Sequence, residues 1–570
     1  MAMHALVRRV LVMAIAGIVG IVGAINCAYA QAIPDAGQML RELPPLPSPP
    51  KTGPAIQFDS RPKRLTPGDI GLAVEVNAFR LTGVTAFAPE ALQALLADRI
   101  GKQLSFADLE AADDAITAYY RERGYFAATA YLPAQTIKDG VVEITVLEGR
   151  LGKIKLESTP GLRLRDGIAL GYLSHIPRDR ALTESDLERP LLLLNDLPGI
   201  GVSSVLETGS DFGTGDLGVT ITEGRLISGS VEVDNVGSIS SGEHRLGVGV
   251  YLNDPLGLGD QLSLGGLTSQ GGRLNSVSAA YLMPINTWGS KAQLSYSALD
   301  YRLGGDFSAL DASGQAVVVG AKLSHPFIRS RSLNILGEMG FEAKDLEDRI
   351  GLVGSVTNKR LDNWTARLVA DSTDGWMGGG TNTATLAATR GRLFLETRVQ
   401  RDFDASALGR GSQGDFSKWT YSLNRQQTIA PRWSWYGAVN GQVASKNLDS
   451  SEKFSLGGPY GVRAYPVAAA SGDEGITGNL ELRYLLAPGA LPGNWVLAAF
   501  LDAGRSTINK NTSAFDVDNV RKLYAYGVGV NWVGYKGFNL RSSLAWPGPA
   551  HSSEPTDRSP RFFMQLSTGL

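Results

Sequence analysis

The stretch WVLAAFLDAG, residues 495–504, decides the fold, because its side chains alternate strictly between the two faces of an extended chain. One face would carry Trp495, Leu497, Ala499, Leu501 and Ala503. The opposite face would carry Val496, Ala498, Phe500, Asp502 and Gly504. Residues 523–532 alternate in the same way. A period of two with one apolar face and aromatic ends is typical of a strand that crosses a lipid bilayer.

This alternation continues from residue 225 to residue 570, where about 16 such segments are separated by turn residues. The segments begin near Gly229, His244, Asp260, Arg273, Ser290, Gln315, Ser332, Arg360, Thr381, Ser417, Arg432, Gly475, Trp495, Arg521, Gly537 and Arg561. Tight turns alternate with long connections, among them 393–416, 445–474, 507–520 and 548–560. Alternating loop lengths favour a transmembrane β-barrel over the alternative, a soluble β-sandwich. An even strand number puts both barrel ends on the periplasmic side.

The first 30 residues have the parts of a secretory signal peptide. Arg8 and Arg9 form the basic region, residues 10–26 are the apolar core, and AYA at 28–30 is the cleavage site. The alternative is an uncleaved membrane anchor, because the apolar run is long. The single cysteine, Cys27, lies in this segment, so the mature chain would have no disulfide, thiolate nucleophile or cysteine-bound metal.

The composition and the motifs exclude several classes of function. A net charge of −2 over 570 residues indicates no nucleic-acid partner. The sequence has no G-x-S-x-G elbow, Walker A loop or H-E-x-x-H motif. Its five histidines are far apart. We therefore expect no enzyme activity, no metal and no cofactor.

Between the signal peptide and the first folded unit, residues 31–71 are rich in proline, as in LPPLPSPPKTGP at 43–54. This composition predicts a linker that is mostly polyproline II or disordered. The segment DAGQMLREL at 35–43 predicts a short helix of about two turns.

Residues 72–224 contain an internal repeat of two β-α-α-β-β units, which we place at 72–150 and 151–224. A capping-box sequence precedes the second helix of each unit, SFAD at 105–108 and TESD at 183–186. The units end similarly, in VLEGR and ITEGR.

Two such units followed by about 16 strands resemble the two-partner secretion transporters, which secrete haemolysins and filamentous haemagglutinins and belong to the outer-membrane assembly superfamily. The units resemble POTRA domains, and the resemblance covers residues 72–570. It implies a fold of α+β periplasmic domains followed by a transmembrane antiparallel β-barrel, placed at residues 225–570.

The long loop between the eleventh and twelfth predicted strands contains GGPYGVRAYP, residues 457–466. In the family this loop folds back into the barrel and carries a V-R-G-Y-like motif, which Val462, Arg463 and Tyr465 match. Ala464 stands where the family has glycine, so the loop tip would be less free to adopt a positive φ.

The second family motif, F-x-D-x-G on an inner-wall strand, is matched by Phe500, Asp502 and Gly504. The alternation places Asp502 on the lumen face, where it is the candidate anion for Arg463. A bidentate pair between the two would hold the loop tip. In the alternative interpretation, Arg463 is a solvated loop charge and Asp502 merely lines a watery pore.

The resemblance implies an outer-membrane pore that recognises an exoprotein through its POTRA domains and passes it unfolded to the cell surface. Exposed POTRA strand edges would pair with the exoprotein. The candidate strands are 126–132 and 141–148, with Phe126, Tyr131, Val142 and Ile144. The alternatives are an assembly insertase, for which two POTRA units are few, and a solute porin, which has no use for them.

The implied partners are a large secreted exoprotein, β-helical in this family, the outer-membrane lipid, and the barrel-assembly machinery for the chain's own insertion; we expect a monomer. Two features depart from the family. Leu570 stands where family barrels commonly end in an aromatic residue. Some members have a longer N-terminal helix that plugs the pore. Segment 35–43 is shorter, so the sequence does not decide whether it forms a plug.

Overall fold

The structure is a computed structural model that describes residues 33–43, 55–58, 73–158, 161–489, 491–513, 516, 518–534, 537–548 and 558–570. The predicted signal peptide and most of the predicted linker lie outside the described residues. Within those ranges, no helix is both long and apolar enough to cross a membrane.

In the described part of the chain, sixteen strands close into one antiparallel barrel in chain order. Their bounds are β10 Ile227–Asp234, β11 Arg245–Asn253, β12 Gln261–Ser269, β13 Leu274–Pro284, β14 Lys291–Arg302, β15 Ala312–Arg329, β16 Leu333–Ile350, β17 Ser355–Asp374, β18 Gly380–Leu395, β19 Gly414–Ala430, β20 Trp433–Ala444, β21 Glu474–Leu485, β22 Asn494–Thr507, β23 Val520–Val533, β24 Asn539–Pro547 and β25 Arg561–Gly569. The predicted barrel is therefore confirmed.

The two faces of the barrel wall follow the alternation read from the sequence. On β22, Leu497 and Leu501 are 41% and 61% exposed, whereas Asp502 is 3% exposed. Trp495 and Trp532 lie side by side at one end of β22 and β23, with 5.5 Å between their ring centroids. An apolar outer face that ends in aromatic rings matches a lipid bilayer and its interface.

The barrel closes where β10 pairs with β25, over five residue pairs. Leu570 extends this pairing, because its backbone N–H donates to the carbonyl of Gly229 at 2.8 Å. Its side chain is 63% exposed. Leu570 therefore lies in register beside the closing strand.

The two N-terminal units repeat one arrangement of a three-stranded sheet and two helices. The sheet order is β3–β6–β5 in the first unit and β7–β9–β8 in the second, and β2 and β4 pair separately. The bounds are β2 Val74–Val76, β3 Ala78–Thr82, α2 Pro89–Gln93, β4 Lys102–Leu104, α3 Phe106–Glu122, β5 Thr129–Tyr131, β6 Val141–Leu147, β7 Arg150–Ser158, α4 Asp166–Leu173, α5 Glu184–Asn195, β8 Ile200–Thr208 and β9 Thr214–Glu223. Both predicted capping boxes are present.

The similar ends of the two units have the same structural role. Glu148 accepts hydrogen bonds from the backbone N–H groups of residues 85–86 at 2.6 and 2.7 Å. Glu223 accepts from those of residues 163–164, both at 2.8 Å. Each carboxylate thus holds the loop that follows the first strand of its own unit. Burial alone would raise the pKa of Glu148, but hydrogen bonds from the Thr85 hydroxyl, from these backbone groups and from the Tyr120 hydroxyl outweigh it and hold the pKa below its usual value.

Two short elements are ordered in the region that the composition assigned to a linker. Helix α1 spans Ala36–Glu42, which confirms the predicted short helix. Strand β1, Ala55–Phe58, pairs in parallel with β8 and adds a fourth strand to the sheet of the second unit. The edge of β8 offers unpaired backbone groups, and residues 55–58 form a strand by pairing with them.

Candidate functional site

The loop between β20 and β21, residues 445–473, turns back into the barrel instead of extending from it. Its tip is buried, with Val462 and Ala464 0% exposed and Tyr465 1% exposed. These side chains pack in one cluster with Leu456, Ala470, Phe500, Leu523, Ala525 and Ala545. Inward-facing apolar residues of the wall thus provide a dry contact for the loop tip.

Arg463 lies at the centre of this contact and is held by two carboxylates. Its Nε and Nη2 donate to Asp502 at 2.9 and 2.7 Å, and its backbone N–H donates to the same carboxylate at 3.1 Å. Its Nη1 donates to Glu481 at 2.7 Å. The guanidinium also lies 3.4 Å from the ring centroid of Phe500, a cation–π distance. The structure therefore brings Arg463, Asp502 and Phe500 together as the sequence predicted.

Three further residues complete the site, and the sequence reasoning missed them. Glu481 also accepts from Arg483 Nε at 2.8 Å, so two arginines balance two carboxylates. Asn479 Nδ2 donates to Asp502 at 2.8 Å. Asn479, Glu481 and Arg483 occupy alternate positions of β21. The unbroken polar run on one face of that strand is the sequence signal that could have revealed them.

Glycines permit the close approach of the loop to the wall. A Cβ on Gly504 would lie 3.2 Å from side-chain atoms of both Leu456 and Val462, which explains the glycine of the wall motif. Positive φ values in the loop occur at Gly458, Ala468 and Ala470, and Ala464 is not among them. The expected strain at Ala464 is therefore absent, because this position does not require a left-handed backbone.

Replacing Gly461 with alanine is expected to displace the loop tip. A Cβ there would clash with the backbone carbonyl oxygen of Leu456, and a backbone atom cannot rotate away. Overpacking of this kind costs about 1–3 kcal/mol. Trypsin added to whole cells should then cleave after Arg463, which is 6% exposed in the intact site. The matched control is Gly478→Ala, where a Cβ meets no atom within 4 Å; equal cleavage in both variants would contradict the prediction.

Charges on the inner wall hold the base of the loop. Glu452 accepts from Lys344 Nζ and Lys418 Nζ, both at 2.8 Å, and from Asn363 Nδ2 at 2.8 Å. The three donors lie on β16, β19 and β17. The loop is therefore fixed at both its base and its tip.

Helix α1 lies inside the barrel, between the wall and this loop. It contacts β14, β15 and β16 on one side and residues Ser450–Glu452 of the loop on the other. The backbone N–H of Ala36 donates to Asp348 at 2.7 Å, and Arg41 Nη1 donates to the carbonyl of Lys453 at 2.7 Å. Ala36 and Met39 are 0% exposed. The short predicted helix is thus seated in the lumen.

The last residue of α1, Glu42, is a buried acid, 5% exposed, with Arg245 and Arg41 in its surroundings. Its carboxylate accepts from Gln38 Nε2 at 3.5 Å and from Ser241 Oγ at 3.4 Å, both long hydrogen bonds. Arg245 donates to the backbone carbonyl of Glu42 at 2.8 Å, while Asp234 pairs with the Arg245 guanidinium at 2.8 and 3.1 Å. Burial raises the pKa of Glu42 to about 7.

Docking of α1 is expected to weaken as the pH rises. The Glu42 carboxyl would ionise near 4.5 in a released helix and near 7 in the docked one, so the docked state holds the proton more tightly. The docking contribution is therefore complete below pH 4.5 and is lost as the pH rises through about 7. The difference corresponds to about 3 kcal/mol. Single-channel recordings should show more frequent opening at pH 8 than at pH 5.

The Glu42→Gln variant provides the control for this prediction. It keeps the size of the side chain and cannot ionise, so its opening frequency should be low and the same at both pH values. A variant whose opening still rose with pH would assign the titration to another group.

Of the two candidate exoprotein-binding strands, one is central in its sheet and the other lies at the edge. Strand β6 is central, paired with β3 on one side and β5 on the other, and its Val142 and Ile144 are 0% exposed. These two residues are core residues, and assigning them to exoprotein pairing was wrong, because a central strand has no free backbone groups. Tyr131 lies on β5, the edge strand of that sheet. Phe126 precedes β5 and packs against the core of the second unit.

Comparisons with known proteins agree with this geometry. The family model described as haemolysin secretion/activation protein ShlB/FhaC/HecB matches residues 213–532. The chain belongs to this family. A POTRA domain of the ShlB type matches residues 74–149, so the first unit is a POTRA domain.

Curated relatives match across most of the chain. The heme/hemopexin transporter protein HuxB of Haemophilus influenzae is 29% identical over 455 residues, which cover 80% of each chain. The outer membrane transporter CdiB of Escherichia coli strain 536 is 26% identical over 467 residues, 77% of this chain and 76% of CdiB. The solved structure of CdiB from Escherichia coli shares the fold, with a TM-score of 0.67 at 22% identity over 90% of this chain and 94% of CdiB.

The chain is therefore an outer-membrane β-barrel translocator of the two-partner secretion type, with its POTRA domains in the periplasm. The barrel end that bears the 445–473 loop faces the cell exterior, because β10 starts at the POTRA end and the strands then alternate in direction.

Proposed function

We propose that the chain captures one large exoprotein in the periplasm and passes it unfolded through the barrel to the cell surface. One observation carries this proposal. The lumen holds two segments of the chain itself, α1 and the 445–473 loop, and neither is a wall strand. A path for an extended polypeptide can therefore open without breaking the barrel. A solute porin needs a lumen that is open at rest.

Capture would begin at strand β5, the free edge of the first POTRA sheet. Among the described strands, β5 pairs with β6 alone, and α3 packs beside it through Thr117 Oγ1, which accepts from the backbone N–H of Ala130 at 2.9 Å. A strand of the exoprotein adding to this edge would replace Thr117 Oγ1 as the acceptor of the Ala130 N–H and so gain backbone hydrogen bonds independent of its sequence. Tyr131 would then contact the exoprotein.

The equivalent edge of the second unit is already occupied. Strand β1 pairs with β8 in parallel, so an exoprotein strand that paired with β8 would have to displace β1. Because β1 follows α1 in the chain, its displacement would release from the second sheet the described element next to the helix in the lumen. Arrival of the exoprotein would in this way favour opening of the pore.

The exoprotein we propose is long and β-helical, and its folding outside the cell would give transport a direction, since the sequence has no nucleotide-binding motif. We further propose that Arg463, Asp502 and Glu481 brace the barrel during passage. The chain would act as a monomer and reach the outer membrane through the barrel-assembly machinery.

The test compares secreted and outer-membrane proteomes with and without this gene. Loss of one very large protein from the medium, with other barrels unchanged, is the expected result and would identify the exoprotein. A general fall in outer-membrane barrels would instead indicate an assembly insertase. Unchanged proteomes with reduced solute uptake would indicate a porin.

A further inference from the structure

An apolar surface lines the lumen where α1 is seated. It consists of Leu299 and Tyr301 on β14, Ala312 and Ala316 on β15, and Leu346 on β16, and we call these five residues the socket. Each is at most 4% exposed. All belong to one cluster with Ala36 and Met39 of α1. The socket is therefore buried because the helix, the loop and their neighbours cover it.

The apolar level of the lumen that contains the socket also includes Leu393 on β18 and Phe416 on β19. It contrasts with the wall nearer the periplasmic end of the same strands. On β18, Thr383 and Thr385 occupy the lumen face, as the alternation from buried Leu393 requires. On β19, Thr420 and Ser422 do the same. A hydroxyl-lined wall is compatible with water, whereas exposing the socket to water is unfavourable. Release of α1 into the periplasm therefore leaves an apolar surface that has to be covered again.

The rim of the socket also has a polarity. Asp348 accepts the backbone N–H at the N-terminal end of α1 at 2.7 Å, and Arg245 donates to the carbonyl of Glu42 at its C-terminal end at 2.8 Å. An acid near the N-terminus and a base near the C-terminus complement a short helix in this orientation. Along α1 the apolar positions 36, 39 and 40 have helical spacing.

We propose that the socket is a binding site for the exoprotein, whose otherwise unfolded chain presents a short amphipathic segment that becomes helical when bound, with apolar residues at positions i, i+3 and i+4. Such a segment takes the place of α1, so that the pore opens by exchange of one apolar segment for another. This inference rests on the proposed function, because it needs an exoprotein in the lumen. The socket would recognise the segment by burying its small and linear apolar side chains between Asp348 and Arg245.

A photo-crosslinking amino acid placed at Leu299 in the full-length protein tests the exchange. The exoprotein identified from the deletion strain is fused to a stably folded domain, which arrests it in the pore. Without the exoprotein, position 299 should crosslink to residues 36–42; with the arrested exoprotein, it should crosslink to the exoprotein several-fold more than position 385 on the hydroxyl wall does. Equal crosslinking at positions 299 and 385 would overturn the proposal.

Measuring secretion distinguishes a role of the socket in binding the exoprotein from its role in holding α1. In a Gly37→Val background we expect α1 to leave the lumen, because a Cβ at residue 37 would lie 2.6 Å from the backbone nitrogen of Ser451. In that background, Leu299→Asn with Leu346→Asn should leave conductance unchanged and lower secretion several-fold. The Leu299→Met, Leu346→Met pair should restore secretion. Normal secretion by the asparagine variant would overturn the proposal, and if that variant does not fold, the crosslinking result decides. Failure of the proposed function is distinguishable, because the deletion strain would then lose no secreted protein.

Discussion

Replacing Arg463 with alanine is expected to destabilise the barrel by about 3–5 kcal/mol and to reduce secretion strongly. The substitution leaves Asp502 and Glu481 buried, at 3% and 4% exposure, without the cation that both contact. Glu481 retains Arg483, so the greater part of the cost falls on Asp502. The measurement is the temperature at which the folded barrel loses its faster gel mobility, together with the amount of exoprotein in the medium.

Two variants make this result specific. Arg463→Lys keeps the charge but cannot reach Asp502 and Glu481 at once through a planar fork, so its stability should fall between alanine and wild type. Arg398→Ala removes an arginine whose side chain is 88% exposed and should change nothing measurable. A double variant, Arg463→Met with Asp502→Asn, should be less destabilised than the sum of its single changes. If Arg463→Ala behaved like Arg398→Ala, the contact between Arg463 and Asp502 would be solvated and would not stabilise the barrel.

The sequence was sufficient for the barrel because a strand between lipid and lumen has to alternate, and β22 shows that alternation in ten consecutive residues. It was also sufficient for the pairing of Arg463 with Asp502, since alternation assigns Asp502 to the lumen and the family motifs single out both residues. The repeat in the POTRA units was visible because Glu148 and Glu223 bind equivalent loops.

Other features depend on contacts that no local pattern encodes. Strand β6 alternates like an edge strand, but it is central because β3 pairs with it in parallel from a distant part of the chain. Strand β1 forms because the edge of β8 is free to accept it. The place of α1 depends on the fit of Gly37 against residues 450–451, and composition alone assigned its surroundings to a linker.

Replacing Gly37 with valine is expected to remove α1 from the lumen and to increase the conductance of the pore. A Cβ at this position would lie 2.6 Å from the backbone nitrogen of Ser451, and the loop is held by Lys344, Lys418 and Asn363 on three wall strands. Because the loop is fixed at its base by these contacts, we expect the helix, and not the loop, to be displaced. Valine is a better helix former than glycine, so the effect is steric and does not reflect loss of the helix itself.

The matched control is Gln38→Val, which introduces the same side chain one position along, at a half-buried site of the same helix. Because Gln38 donates to the Glu42 carboxylate, this control is compared with wild type at pH 5, where Glu42 is protonated. Planar-bilayer recordings should show long-lived large openings for Gly37→Val and wild-type behaviour for Gln38→Val, and cells carrying Gly37→Val should admit large antibiotics. The opening should also lose its dependence on pH, because Glu42 acts only while α1 is docked. A Gly37→Val pore that stayed closed and pH-dependent would mean that valine does not displace α1. One that stayed closed at both pH values would mean that the 445–473 loop alone closes the lumen.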